Sequence, residues 1–183
     1  MAEPSTPDAD AIDAWATMTR AEDAEATIAP RPRTVADGVV VELRPVTAET
    51  VRAICRLAVA PSQRGFVAPN AVSIAQAHFT PTAWFRAIYA DGVPVGFLML
   101  NVNTEKNEYY LWRLMVSDGV QGRGYGRRAV QLAIEHVRDQ PGATALLTSW
   151  VPGDGTPEPF YLGLGFVRTG EIEDGEIVGR LPL

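Results

Sequence analysis

The segment 114–127 carries the residue types best suited to phosphate chemistry. An apolar run is followed by a polar turn with alternating glycines and then by a long amphipathic helix pattern. Glycine permits positive φ angles and lets a ligand approach the backbone closely. The first amide N–H groups of a helix have no intrahelical acceptor, and the helix dipole adds partial positive charge, so this turn predicts a phosphate-binding loop. Its glycines and flanking cations are Gly122, Gly124, Gly126, Arg123, Arg127 and Arg128.

Two common phosphate loops do not fit this segment. A Walker loop requires Lys followed by Ser or Thr after its last glycine, whereas Arg127 and Arg128 stand there. The dinucleotide fingerprint Gly-x-Gly-x-x-Gly would place a glycine at position 127 and belongs after a first strand. The loop at 121–127 follows the fourth predicted strand, so a different phosphate-binding family must be considered.

The elements that position this loop alternate between strand and helix patterns from Gly38 onward. Asp91-Gly92 between two apolar runs predicts a tight hairpin, and Pro141-Gly142 should stop the longest helix. The predicted strands are 39–44, 84–90, 95–100, 108–116, 146–151, 166–169 and 176–181, and the predicted helices are 48–58, 71–79, 124–139 and 158–163. The order β-α-α-β-β-β-α-β-α-β-β predicts an α/β fold, in which a central mixed sheet is covered by helices on both faces.

The first 35 residues differ in composition from the rest. They mix alanine with acidic residues and end in a run of prolines and arginines at 30–33. We expect an N-terminal extension at 1–35 that is mobile and a single domain at 36–183. A short helix at 10–18 docked on the domain or on a partner is the alternative.

The overall composition excludes several classes of function. The chain has 183 residues and a formal net charge of −6, which does not favour binding to a nucleic-acid backbone. No apolar run approaches the roughly 18 residues of a membrane span. His78, His136 and Cys55 are isolated from one another, so no metal site is expected. We therefore expect a cytoplasmic protein without nucleic-acid, membrane or metal partners.

The loop Gln121-Gly122-Arg123-Gly124-Tyr125-Gly126 resembles the pyrophosphate loop Gln/Arg-x-x-Gly-x-Gly/Ala of the GNAT N-acetyltransferases. The resemblance extends over 39–183 and implies a GNAT-like, mostly antiparallel twisted sheet with acetyl-CoA as cosubstrate. It implies that backbone amides of 121–127 bind the pyrophosphate and that the strand Leu114-Met115-Val116, splayed from the next strand, pairs with the pantetheine arm. A backbone N–H near Leu114 or Met115 would stabilise the oxyanion that forms at the thioester. The cofactor residues implied are Leu114, Met115, Val116, Gln121, Gly122, Arg123, Gly124, Tyr125, Gly126 and Arg127.

Tyr161 belongs to a second element of that family, Tyr-x-x-x-Gly-Phe, which ends here at Gly165-Phe166. Coenzyme A leaves as a thiolate when an amine attacks the thioester. A phenol with an ordinary pKa of about 10 can donate a proton to that thiolate as it forms. Tyr161 is therefore the candidate general acid, and the alternative is an aromatic residue that only packs. Many relatives carry Asn seven residues before this tyrosine, and Asp154 stands there instead.

The acceptor amine must lose a proton before it attacks, which requires a carboxylate or a water held by one. Glu108, at the start of the strand that leads to the loop, is the first candidate base, followed by Glu42, Asp118 and Glu158. Segments at 66–70, 73–77, 96–100 and 110–115 resemble the bacterial spermine/spermidine acetyltransferases. That resemblance implies a polyamine acceptor, with substrate contacts from Phe66, Asn70, Ser73, Gln76 and Glu42.

Several alternatives remain open at the level of sequence. The acceptor could be an aminoglycoside-like drug or a protein N-terminus, and a non-catalytic acyl-CoA-binding module is a further alternative. The resemblance favours direct attack by the amine, without an acyl-enzyme. Family members are often homodimers, but no sequence feature decides the oligomeric state.

Overall fold

The computed structural model describes Val35 and residues 38–183. The predicted N-terminal extension lies outside the described residues except for Val35. The described chain forms seven strands, four α-helices and a short 3-10 turn, Pro61–Gln63. The strands are β1 (Val41–Arg44), β2 (Ala83–Ala90), β3 (Val93–Asn103), β4 (Glu108–Val116), β5 (Ala145–Trp150), β6 (Val167–Glu173) and β7 (Glu176–Pro182). The helices are α1 (Val51–Arg56), α2 (Asn70–His78), α3 (Tyr125–Arg138) and α4 (Glu158–Leu162).

The strands form one sheet in the order β1-β2-β3-β4-β5-β7-β6. All neighbouring pairs are antiparallel except β4 and β5, which run parallel. The single parallel pair is where the chain crosses over through α3, as parallel strands require. Element order and sheet type confirm the predicted fold class.

Side chains of the sheet alternate between two apolar cores. Ile88, Leu98 and Leu111 point toward α3, whose buried stripe includes Ala133 and Val137. The opposite face is covered near α1 and α2, and its core consists of Ile54, Ala87, Tyr89, Phe97, Met99 and Met115. Because both faces are covered, the central strands carry apolar residues in succession instead of a strict polar–apolar alternation.

A β-bulge interrupts β4 in its middle. Met99 of β3 pairs with Arg113, but the next residue, Leu100, pairs with Leu111, so Trp112 is the additional residue on β4. A bulge bends its strand and increases the local twist. The bend follows directly after the last residue of β4 that pairs with β5, and it separates the two strands.

Several element boundaries differ from the sequence prediction, and three of the differences are of three residues or more. The strand β3 continues to Asn103 and β6 continues to Glu173, beyond the ends expected at 100 and 169. The first helix begins at Val51 and not at position 48, because residues 48–50 form a turn that Thr50 stabilises by accepting a hydrogen bond from Thr47 N at 2.9 Å.

Candidate active site

The centre of the candidate site is a wedge between β4 and β5. These strands pair only at Tyr110↔Leu147 and Leu111↔Thr148, although β4 continues to Val116. Beyond the pairing, β4 keeps β3 on one side and has no strand partner on the β5 side among the described residues. The carbonyls at the two ends of this stretch accept side-chain hydrogen bonds, Trp112 O from Arg113 and Val116 O from Gln121. The backbone groups of residues 113–115 that face the wedge can pair with an extended polar ligand.

The glycine loop lies at the open end of this wedge, where β4 ends and α3 begins. Gly124 is the N-cap of α3 with a φ of 84°, and Gly122 has a φ of 73°. Left-handed backbone of this kind favours glycine. The first bond within the helix runs from Arg128 N to Gly124 O at 3.0 Å. The amides of residues 125–127 precede it, and Gly124 has no side chain to cap them, so they form an anion-binding helix start.

Side chains of the loop hold its shape and supply positive charge. Gln121 Nε2 donates to Val116 O at 2.8 Å and to Gln63 Oε1 at 2.7 Å, which ties the loop to the end of β4 and to the Pro61–Gln63 turn. Arg127 Nη1 donates to Gly163 O at 2.8 Å, and Arg123 Nη2 donates to Gly119 O at 3.3 Å. Both cations are bound to neutral carbonyls, so their charge is available to a phosphate.

Tyr161, on α4, is buried beside the wedge with only 7% of its surface exposed. Its ring stacks on Trp150 at a centroid distance of 5.5 Å and contacts Phe160 and Phe166 edge-on. Burial raises the pKa of the Tyr161 phenol to about 12. Interaction with the Thr148 hydroxyl opposes this shift, while the Glu176 carboxylate adds to it. The phenol therefore stays protonated at neutral pH and can act only as a proton donor in its resting state.

Thr148 connects this tyrosine with the apex of the wedge. Its side chain is fully buried, and Oγ1 donates to Leu111 O at 3.1 Å. Thr148 is also the last β5 residue that pairs with β4. The Tyr161 phenol, which interacts with Thr148, is thus placed at the point where the two strands diverge.

A cavity of about 400 Å³ opens next to the wedge, bordered by β3, β4, β5 and the β6–β7 hairpin. Its lining residues are Thr80, Asn101, Tyr110, Trp112, Arg113, Ser149, Glu173, Asp174 and Glu176. Three of these are carboxylates from a single hairpin, whose turn residues Asp174 and Gly175 both have positive φ, at 49° and 81°. Such a turn is typical of an Asp-Gly two-residue hairpin. The cavity is of the size that a small molecule occupies.

Glu176 is the most firmly positioned carboxylate of the cavity. Ser149 Oγ donates a short hydrogen bond to Glu176 Oε2, from the strand that borders the wedge. The Glu176 charge also adds to the raised pKa of Tyr161. The three features meet on β5, where Thr148 ends the pairing with β4, Ser149 borders the cavity and Trp150 stacks on Tyr161.

The predicted acceptor residues are only partly brought to this cavity. Gln76 reaches it, because its Oε1 accepts a hydrogen bond from Arg113 Nη2 at 3.3 Å. Phe66 lies over the loop after β5, where a Cβ at Gly155 would be 3.6 Å from its ring. Asn70 and Ser73 are buried and occupied in the fold, since Asn70 Nδ2 donates to Ile54 O at 2.8 Å and Ser73 Oγ donates to Pro69 O at 3.3 Å.

The carboxylates proposed from sequence lie elsewhere. Glu108 is exposed at the first residue of β4 and does not border the cavity. Glu42 forms an ion pair with Arg44 on β1, three strands from β4. Glu158 forms an ion pair with Arg168, and the Asp118 carboxylate accepts from Gly119 N at 2.9 Å. None of the four borders the cavity with Tyr110 and Ser149, and the assignment of one of them as the base stays a prediction.

Sequence reasoning missed the residues that line the cavity. Two signals point to them in hindsight. One is the run Glu173-Asp174-Gly175-Glu176, which combines a hairpin turn with three carboxylates. The other is Arg113, a charge within the apolar strand 111–116. Among residues 38–183 and Val35, no group of His, Cys, Asp and Glu side chains could hold a metal ion, and no helix is long and apolar enough to cross a membrane.

The sequence of this chain is similar to a known protein family and to one curated acetyltransferase. Residues 69–166, more than half of the chain, match the model of the acetyltransferase (GNAT) family. Over 81 residues the chain is 35% identical to L-2,4-diaminobutyric acid acetyltransferase from Streptomyces avermitilis, and the match spans 44% of the length of each protein.

Two solved structures share the fold. An acetyltransferase from Thermus thermophilus superposes with a TM-score of 0.63 at 19% identity, covering 78% of this chain and 97% of that one. PaiA N-acetyltransferase from Thermoplasma acidophilum, in complex with coenzyme A, gives a TM-score of 0.61 at 14% identity and covers 79% and 99%. At this identity the superpositions support the fold alone, and the family follows from the sequence match: the chain belongs to the acetyltransferase (GNAT) family.

Proposed function

We propose that the chain is an N-acetyltransferase, which transfers the acetyl group of acetyl-CoA to a primary amine of a small cationic acceptor. The observation that carries this proposal is the wedge between β4 and β5, with the glycine loop at its open end and Tyr161 at its apex. Family membership supports the same activity. A thioester in the wedge would lie between a proton donor and an acidic cavity.

Residues of β4 and of the loop would hold the cofactor. The amides at 125–127 and the cations Arg123 and Arg127 suit a pyrophosphate, which carries delocalised negative charge. The β4 backbone at 113–115, which has no strand partner on the β5 side among the described residues, suits the two amides of the pantetheine arm, which offer one donor and one acceptor each. Bound coenzyme A would supply an activated acyl group, and the protein supplies position and proton transfer.

The acceptor nitrogen loses two protons and the sulfur gains one, while a C–N bond replaces the C–S bond. The acceptor ammonium first gives up a proton, and Glu176 is placed to accept it. The neutral amine attacks the thioester carbonyl, so that a C–N bond forms and the C–S bond breaks. The sulfur leaves with the bonding electron pair and receives the Tyr161 proton. The nitrogen loses its second proton to solvent, and solvent reprotonates the Tyr161 phenolate. The products are an amide, the free thiol of coenzyme A and a released proton.

The cavity supports a small cationic acceptor. Three carboxylates in about 400 Å³ attract ammonium groups, and the volume is too small for a folded polypeptide surface. Spermidine and spermine, the acceptors predicted from sequence, meet the charge requirement. The relative from Streptomyces avermitilis is named for a different cationic amine, 2,4-diaminobutyric acid. Both classes therefore belong in the first acceptor panel, together with an aminoglycoside and a peptide with a free N-terminus.

The test combines cofactor binding with turnover. Purified protein is titrated with coenzyme A in a calorimeter, and release of free thiol from acetyl-CoA is followed with each amine of the panel. Binding and amine-dependent release support the proposal. Binding without release for any amine favours the acyl-CoA-binding module, and absence of binding refutes both.

A matched pair of glycine variants identifies the cofactor site. Gly124→Val places a β-branched residue at a φ of 84° in the loop and should abolish coenzyme A binding. Gly92→Val makes the same change at a comparable φ of 77° in the β2–β3 turn, which is not part of the glycine loop and where a Cβ would have no heavy atom within 4 Å. Loss of stability in both variants with loss of binding only in Gly124→Val supports the loop assignment, and normal affinity in Gly124→Val contradicts it.

A further inference from the structure

We propose that the acceptor carries a carboxylate as well as its amines, and that Arg113 binds this carboxylate while the β6–β7 hairpin binds ammonium groups. The acceptor class is then an α-amino acid whose side chain ends in a primary amine. This inference rests on the proposed acetyl transfer and specifies its substrate. It distinguishes the chain from an enzyme for polyamines, which carry only positive charge.

Arg113 is placed on the cavity face by the bulge at Trp112. It pairs with Met99, which belongs to the core below α1 and α2, whereas Leu111 points to the opposite core. The guanidinium lies near the ring of Trp112, with Cζ 5.2 Å from the ring centroid, and it lines the cavity. The side chain is therefore a half-buried cation within a cavity whose other charges are negative.

Only some of the hydrogen-bond donors of the Arg113 guanidinium have an acceptor. Nη1 donates to Trp112 O at 2.8 Å and Nη2 donates to Gln76 Oε1 at 3.3 Å, both neutral acceptors. Nε is shielded from solvent and has no acceptor among the described residues. A guanidinium has five N–H groups, so hydrogen-bonding capacity remains on the terminal nitrogens. A ligand carboxylate can accept two of these bonds at once, which is the geometry that arginine recognises best.

The charge of Arg113 has no carboxylate partner at contact distance within the described part of the chain. The ion pairs found there join Arg44 to Glu42, Arg128 to Glu135 and Arg168 to Glu158. Burial lowers the pKa of Arg113, and the Glu176 charge only partly compensates for it. A half-buried cation without a counter-ion is costly to the fold unless a ligand supplies one.

The opposite wall of the cavity has the complementary charge. Glu173, Asp174 and Glu176 lie on the closing hairpin, across β5 from Arg113. Asn101, on β3 next to β4, adds a buried Oδ1 without a hydrogen-bond donor among the described residues. Ammonium groups can satisfy these acceptors. A ligand with a carboxylate at one end and ammonium groups at the other matches both walls. A linear polyamine that filled the same cavity would place one of its charges near the like charge of Arg113.

The experiment uses acceptors that differ only in the carboxylate. We compare kcat/KM for 2,4-diaminobutyrate with 1,3-diaminopropane, for ornithine with 1,4-diaminobutane, and for lysine with 1,5-diaminopentane. Each diamine is the amino acid without its carboxyl group. We expect the amino acid of at least one pair to exceed its diamine by about 10-fold or more, the range of a charged hydrogen-bonded contact. A preference for the diamine in all three pairs overturns the inference, while turnover of diamines would still support the acetyltransferase.

Arg113→Gln then identifies the residue responsible. We expect the ratio of kcat/KM between amino acid and diamine to fall by about 10- to 100-fold. Arg138→Gln makes the same chemical change at an exposed position on α3 and should leave the ratio as in the wild type. A ratio unchanged in Arg113→Gln overturns the assignment, because a purely structural role would lower both activities together.

A binding measurement provides a readout that does not need turnover. In the presence of coenzyme A, the preferred amino acid is titrated into the wild type and into Arg113→Gln in a calorimeter, after thermal melts have shown that both are folded. Weaker binding of the amino acid to Arg113→Gln, with little change for its diamine, supports the inference. Equal affinity of both proteins for the amino acid contradicts it. If no acceptor is acetylated but the amino acid binds through Arg113, the proposed catalysis fails and the recognition stands.

Discussion

Replacing Tyr161 with phenylalanine removes one hydroxyl from the apex of the wedge and keeps the ring. The ring packs between Trp150 and Phe166, so the variant should fold. If the phenol protonates the departing thiolate, kcat should fall by about 10²- to 10⁴-fold, the usual contribution of a general acid. Tyr109→Phe is the matched control, since it removes a buried phenol that donates to Pro141 O, away from the wedge.

The raised pKa of Tyr161 also predicts how much the unfolding free energy changes with pH, independently of kcat. Burial raises the pKa from 10.0 to about 12, and one pKa unit corresponds to about 1.4 kcal/mol. A folded-state pKa above the unfolded value contributes stability below pH 10 that is lost as the pH rises toward 12. The wild type should therefore lose about 3 kcal/mol of unfolding free energy over this range that Tyr161→Phe does not lose.

Steady-state thiol release measures the fall in kcat. Urea unfolding at a series of pH values from about 9 to about 12 measures the loss of unfolding free energy as the pH rises. A normal kcat in Tyr161→Phe would show that the residue only packs. Parallel pH profiles of stability in wild type and variant would show that the phenol is not held in the protonated form by burial. A drop in kcat for Tyr109→Phe of the same size would mean that general loosening, and not proton donation, causes the effect.

Two further predictions follow from the same site and its supporting core. Glu176→Gln should lower kcat/KM by about 10²-fold in a thiol-release assay, because it removes the carboxylate proposed as base. Glu108→Gln, at the exposed start of β4, is the control and should have little effect. A large loss in Glu108→Gln and a small one in Glu176→Gln would instead assign the role of base to Glu108. Gly179→Ala should destabilise the protein by about 1–3 kcal/mol in urea unfolding, since its Cβ would lie 2.3 Å from the buried ring of Trp150 and force that ring to move.

The fold was predictable where burial leaves a periodic pattern. Helix α3 has a buried stripe that includes Ala129, Ala133 and Val137, and the sequence prediction placed its ends within one residue. The end of β6 was missed because every residue of this edge strand is exposed, so the sequence carries no alternation there. The final residues of β3, up to Asn103, were read as loop because polar residues at a strand end resemble a turn.

Some parts of the candidate site are formed by residues that are close in sequence, and others by residues from distant segments. The glycine loop and Tyr161 could be proposed from sequence because each motif is contiguous and its chemistry depends on neighbouring residues. The acceptor cavity draws residues from segments as distant as Thr80, Arg113, Ser149 and Glu176. Only the register of the sheet brings them together, and that register cannot be derived from spacing in one sequence. For this reason the predicted base, Glu108, was chosen by nearness in sequence and lies outside the cavity.

The bulge at Trp112 is the feature that links cofactor and acceptor recognition. A shift of one residue moves every following side chain of a strand to the other face. Without the extra residue, Arg113 and Met115 would share the face of Leu111 and point toward α3, so a charge would enter the core. With it, Arg113 faces the cavity and Leu114 returns to the α3 side. The same bend ends the pairing of β4 with β5 after Leu111 and opens the wedge. One inserted residue thus accounts for the unpaired edge of β4, where we propose that the cofactor binds, and for the cation that faces the cavity.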